Sequence, residues 1–119
     1  MTHTALLWTR AFAATVALEW AVAIPLLRPV EPSLARRAVV ILLVNFSTHP
    51  LVWFFFPHLG LSWMQGVFLA EIWAYGFETV GYRTIFQGMT WRRAAGVSFA
   101  ANTLSLLVGL LGMEWGWFR

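Results

Sequence analysis

Residues 38–56 read AVVILLVNFSTHPLVWFFF, nineteen positions whose only ionisable side chain is a histidine. A helix of about 20 apolar residues crosses the roughly 30 Å of hydrocarbon in a bilayer. Three stretches of similar character lie at about 4–27, 61–86 and 91–115. Because lipid offers the backbone no hydrogen-bond partners, we expect each stretch to be a helix. The sequence predicts an all-α polytopic membrane protein, a four-transmembrane-helix bundle forming a single domain over residues 1–119.

The composition of the whole chain agrees with a lipid-facing surface. Of its 119 residues, 60% are hydrophobic and 11% are charged, whereas soluble domains carry about 25% charged residues. A soluble domain of this size leaves much of its surface wet and could not cover so much apolar area. The net charge of +3 comes from scattered arginines, which argues against a nucleic-acid partner. Without cysteine, the chain has no disulfide, thiolate ligand or thiol nucleophile.

The arginines predict the orientation of the bundle. Six of them flank the first and third loops: Arg28, Arg36, Arg37, Arg83, Arg92 and Arg93. The loop between the second and third segments has none, and cytoplasmic loops are enriched in Arg and Lys. We therefore expect the first and third loops to be cytoplasmic and both termini to lie outside. The shortness of the chain favours a prokaryotic plasma membrane.

Each apolar segment also carries polar or small residues on one face. Spacings of three and four residues place such side chains on a single helical stripe. The stripes are Thr15 and Glu19; Asn45, Thr48 and His49; Glu71, Tyr75, Glu78 and Tyr82; and Ser98, Asn102, Ser105, Gly109 and Gly112. Four such stripes predict a bundle with a polar core. The polar residues of the first two segments do not recur at matching positions in the last two, so no internal repeat is expected.

The depth of each polar residue follows from the 1.5 Å rise per helical residue. Counted from the segment ends, the polar residues fall into two layers, one nearer the cytoplasm and one at or slightly outside the midplane. The two layers are Glu19 with Glu78 and Asn102, and His49 with Glu71 and Ser105.

Pro50 interrupts the second segment directly after His49. An interior proline lacks an N–H and frees the carbonyl four residues earlier, here that of Phe46. The sequence predicts a hinge at Pro50 that opens a pocket beside the histidine. An ordinary proline bend is the alternative.

Three glutamates in one small bundle are costly, since a charge at mid-bilayer costs about 2.5–3.5 kcal/mol on insertion scales. No lysine is present to neutralise them, so at least one is expected to carry a proton, and His49 could neutralise another. We predict a proton- or cation-binding site made of Glu19, His49, Glu71 and Glu78. The supporting polar residues are Asn45, Thr48, Tyr75, Tyr82, Asn102 and Ser105. Alternatively, protonated glutamates simply join neighbouring helices by hydrogen bonds.

Three classes of function stay open. The first is proton- or cation-coupled transport by a homo-oligomer, because intramembrane Glu and His chains mark such pathways. The second is an accessory or assembly subunit of a larger membrane complex, whose polar faces meet partner subunit helices. The third is an intramembrane metal-dependent enzyme, with a divalent metal ion on His49, Glu71 and Glu78 and a tyrosine nearby. No HExxH, Ser-His-Asp or glycine-rich phosphate motif appears, so an enzyme is the least favoured.

Overall fold

The computed structural model describes residues 2–117, and 84% of the chain is helical. Its four α-helices are α1 (His3–Leu27), α2 (Leu34–Pro50), α3 (Trp63–Ile85) and α4 (Trp91–Glu114). The described part of the chain contains no β-strand. The predicted all-α fold class, a four-helix bundle, is confirmed.

Each helix begins after a hydroxyl side chain that caps it. Thr2, Ser33, Ser62 and Thr90 each accept a hydrogen bond from the backbone N–H three residues later, which satisfies one of the free donors of a first turn. The cap at Ser33 starts α2 four residues before the predicted position 38. The apolar pattern misses this first turn because it is rich in arginine.

The helices form a ring in chain order, and α4 closes it against α1. The 25 residues of α1 span roughly 38 Å, close to the 40 Å long axis of the molecule. The α1–α2 and α3–α4 loops therefore share one end, which we call the arginine end. The α2–α3 connection lies at the opposite end with the start of α1 and the end of α4, and we call it the terminal end.

Three helical stretches are long and apolar enough to cross a membrane: His3–Leu27, Leu34–Leu59 and Trp91–Glu114. These spans support membrane integration. α3 is not among them, and its sequence includes Gln65, Glu71, Glu78 and Arg83. Its outer face nevertheless exposes large apolar side chains, namely Phe68, Ile72 and Val80. The outside location of the termini stays a prediction.

The arginine-end half of the bundle is packed with apolar side chains. The cluster consists of Ala23, Leu27, Val40, Ile41, Val44, Tyr82, Phe86, Met89, Ala94 and Val97. Beside it, the Arg37 guanidinium donates to the Ile24 carbonyl at 2.5 Å, and the Trp20 indole N–H donates to the Ala38 carbonyl at 3.0 Å. These two bonds join α1 to α2 where the hairpin turns.

The hairpins α1–α2 and α3–α4 repeat one pattern of buried positions. Asn45 and Asn102 lie 57 residues apart, and their buried helix neighbours follow the same spacing. Glu19 and Glu78 lie 59 apart, because the first hairpin has two more residues between its glutamate and its second helix. The other matched buried pairs are Ala23 and Tyr82, Leu27 and Phe86, Val40 and Val97, Ile41 and Ser98, and Val44 and Ala101. The expectation of no internal repeat is therefore wrong.

Candidate functional site

Glu19 is held by the helix that follows it in the chain. Its side chain projects from α1 into the bundle and is only 1% exposed. The Asn45 side-chain amide of α2 donates to Oε2 of Glu19 at 2.6 Å and to the Ile41 carbonyl at 2.9 Å. The second bond fixes the amide against its own helix, so the first positions the carboxyl group.

Glu78 is held in the same way in the second hairpin. Its side chain projects from α3 and is 0% exposed. The Asn102 amide of α4 donates to Oε2 of Glu78 at 2.5 Å and to the Ser98 carbonyl at 2.8 Å. Ser98 adds a long contact, 3.5 Å from its hydroxyl to the same carboxyl oxygen.

The two carboxyl groups are neighbours in the interior of the bundle. Neither has a basic partner, since the ion pair found within residues 2–117 is Arg36–Glu31 at the arginine end. Oε1 of Glu78 is buried without a hydrogen-bond partner. An unpaired buried oxygen of this kind is costly, and a ligand that donates a proton or a hydrogen bond would relieve the cost.

A cavity of about 330 Å³ opens above this pair, between all four helices in the terminal-end half. Glu19, Glu78 and their two asparagines form its deep end. Its far rim includes Trp53, Trp63 and Met113, and Trp63 is 57% exposed. The cavity therefore leads from the buried carboxyl groups toward the terminal-end surface.

His49 lines the same cavity but does not neutralise a glutamate. Its Nε2 lies 3.5 Å from the Thr15 hydroxyl, and its Nδ1 is buried without a partner. Within the described residues no carboxyl oxygen forms an ion pair with it. Instead the imidazole packs against Phe12 and Trp53, at ring-centroid distances of 5.5 and 6.3 Å. The prediction that His49 neutralises a carboxylate is therefore corrected: its imidazole lies among aromatic rings instead.

Glu71 also lines the cavity, between the deep pair and the rim. It is only half-buried, so it is the most accessible of the three intramembrane glutamates. Glu19, Glu78 and Asn102, predicted as one layer, lie together at the deep end, where Asn45 joins them. His49, Glu71 and Ser105, predicted as the other layer, line the same cavity.

Besides the two asparagines, the four other supporting polar residues divide into three groups. Thr48 and Ser105 line the cavity, and the Thr48 hydroxyl donates to the Asn45 carbonyl at 3.2 Å. Tyr82 lies one turn below Glu78 in the apolar cluster, and its buried hydroxyl has no partner. Tyr75 does not reach the cavity: it is 37% exposed and packs edge-on against Phe99. Tyr75 therefore does not support the cavity as predicted. The face of α3 that carries the polar residues is wider than the part of it that lines the cavity.

The structure does not assemble the predicted metal site. Across residues 2–117, no three His, Asp or Glu side chains are arranged so that they could hold one metal ion. His49, Glu71 and Glu78 line one cavity without converging on a common point. The intramembrane metal-enzyme hypothesis therefore lacks its ligand set.

Pro50 changes the helix type rather than ending the helix. After Pro50 the chain continues as a π-helix, Leu51–Phe55, and a 3₁₀ turn, Phe56–Leu59. Wider π-turns often occur at functional sites. Here the turn carries Val52 and Trp53, both of which line the cavity. Whether this segment moves as a hinge stays a prediction.

No family model, curated protein or solved structure matches this chain.

Proposed function

We propose that this protein binds a cation between Glu19 and Glu78 and exchanges it for a proton, as a step in proton- or cation-coupled transport. The observation that carries the proposal is the carboxyl pair itself. It is buried, it lacks a basic partner in the described chain, and it forms the deep end of a cavity that leads to the terminal-end surface.

The electrostatics of the pair favour a cationic ligand. Two ionised carboxylates side by side in an apolar bundle repel each other and lose their hydration. The two asparagines each donate to one carboxyl oxygen, which compensates only part of that loss. A proton or another monovalent cation supplies the missing positive charge, and the entry of one releases the other.

Transport requires access from both ends, whereas the cavity leads toward one. The apolar cluster and the two bonds between α1 and α2 close the arginine end. A second access path therefore needs a movement of the hairpins against each other, and the approximate repeat provides two similar units for it. By the predicted orientation the observed cavity faces outward from a prokaryotic plasma membrane. A homo-oligomer is expected, since four helices are few for a complete path.

The test measures cation-driven proton movement in proteoliposomes that contain a pH-sensitive dye. The driving gradients are sodium, potassium, tetramethylammonium and alkylammonium chlorides, with protein-free vesicles giving the passive background. Glu19→Gln and Glu78→Gln should each abolish the protein-dependent signal, because glutamine keeps the shape and removes the exchangeable proton. Glu114→Gln, an exposed carboxyl at the end of α4, is the matched control. Unchanged signals in folded Glu19 and Glu78 variants would reject the proposal.

The accessory-subunit alternative has one observation in its favour. α3 exposes Tyr75 and half-exposes Glu71, although it lies in a bundle whose other helices are apolar enough to cross a membrane alone. A partner helix could cover this surface. Co-purification with a larger protein after mild solubilisation would support this function, and a solitary homo-oligomer would contradict it.

A further inference from the structure

The walls of the cavity suit a ligand larger than an inorganic ion. Apart from the polar residues described above, most of the lining is apolar: Ala11, Ala14, Leu18, Val52, Val67 and Leu106 are examples. Hard metal cations take most of their ligands from oxygen atoms, which these walls do not offer. A volume of about 330 Å³ lies at the lower end of the range for small organic ligands.

The hydrogen bonds at the deep end indicate which head group would fit there. The asparagine amides already donate to Oε2 of each glutamate, so the pair has its hydrogen-bond donors from the protein. What it lacks is a donor to the free oxygen, Oε1 of Glu78. A primary ammonium group carries a positive charge and three N–H donors, whereas a quaternary ammonium group has the charge but no donor.

We propose that the cation is a primary ammonium ion on a small apolar or aromatic body. Its –NH₃⁺ group lies between Glu19 and Glu78, and its body extends along the apolar walls toward Trp53 and Trp63. This inference rests on the proposed function and names the class of its substrate. The two rim tryptophans suit an aromatic body and a cationic ligand during entry.

The experiment compares two ligands of equal charge: 2-phenylethylammonium, which has three N–H donors, and its N,N,N-trimethyl analogue, which has none and carries three additional methyl groups. Calorimetric titration of the purified detergent-solubilised protein should show the primary ammonium binding at least tenfold more tightly, since a hydrogen bond to a charged group contributes about 1.5–3 kcal/mol. Among n-alkylammonium ions, affinity should rise about fourfold per added methylene until the cavity is filled.

Three variants test the placement of the ligand. Glu78→Gln should weaken binding of 2-phenylethylammonium at least tenfold, and Glu114→Gln should leave it unchanged. Trp63→Ala changes a rim residue that is 57% exposed, so it remains informative if Glu78→Gln does not fold. It should weaken the aromatic ligand more than propylammonium, because only the former reaches the rim.

The outcomes separate this inference from the proposed function. Equal affinity for the two phenylethyl ligands, or no binding of either, overturns the inference. If sodium, potassium or tetramethylammonium still drives proton movement that requires Glu19 and Glu78, the proposed function stands although the inference about the primary ammonium ligand fails. If substitution of both glutamates changes neither binding nor proton movement, both proposals fail.

Discussion

Glu19 and Glu78 face each other from α1 and α3 at the centre of the bundle, and each is held by an asparagine of the next helix. The two half-sites have the same bonding pattern, because each asparagine also donates to the carbonyl one turn before it. The chain thus builds one site from two similar hairpins.

The asparagines should contribute similarly to stability. Asn45→Ala and Asn102→Ala each remove a hydrogen bond to a buried carboxyl group and should lower the free energy of unfolding by about 1.5–3 kcal/mol. The measurement is reversible unfolding in mixed micelles. Ser47→Ala is the control, since its exposed hydroxyl bonds only to its own helix. A loss confined to one asparagine would show that the half-sites are not equivalent.

Arg37 should stabilise the arginine end far more than its neighbour Arg36 does. Arg37 is 6% exposed and donates to the Ile24 carbonyl, whereas the Arg36 side chain is 56% exposed and pairs with Glu31. Arg37→Ala should cost about 2–3 kcal/mol, and Arg36→Ala less than about 1 kcal/mol. Thermal unfolding in detergent measures both. Equal losses would mean that the buried bond contributes nothing beyond an exposed ion pair.

Pro50 should set the shape of the cavity at a cost in stability. Pro50→Ala restores a backbone N–H inside a helix, where proline costs about 3 kcal/mol. The variant should be more stable, and its π-turn should revert toward an α-helix, which moves Trp53. Tryptophan fluorescence and unfolding measurements detect the two effects. Pro57→Ala is the control, because Pro57 lies at the start of a 3₁₀ turn. Unchanged fluorescence would show that the π-turn does not depend on Pro50.

The predicted orientation can be tested by labelling, because the chain contains no cysteine. His58→Cys places one thiol at the terminal end, and Gln87→Cys places one at the arginine end. In intact cells a membrane-impermeant maleimide should label only the first, and both should react after the membrane is permeabilised. Labelling of position 87 alone in intact cells would show that the orientation is opposite to the predicted one.

Several site residues could be predicted from the sequence and several contacts could not. Helical spacing identified Glu19, Glu78, Asn45 and Asn102, and the structure places all four at one deep end. The same spacing included Tyr75, which lies at the edge of its stripe and turns outward. Charge alone predicts that His49 neutralises a carboxylate, whereas the rings of Trp8, Phe12 and Trp53 lie around its imidazole. The repeat is hard to recognise in the sequence, because the first hairpin has two more residues between its glutamate and its asparagine than the second has.

Length and hydrophobicity alone determined that the chain forms four helices in an all-α bundle, because a long apolar segment in lipid can satisfy its backbone only within a helix. The helix ends were predicted only approximately: the apolar pattern places the start of α2 at position 38, whereas the Ser33 cap starts it at Leu34. Only the tertiary structure decided that Glu19 and Glu78 meet, which asparagine holds each, and that one face of the pair opens into a cavity. Those contacts depend on how each helix is rotated and tilted against its neighbours, and packing between helices sets both.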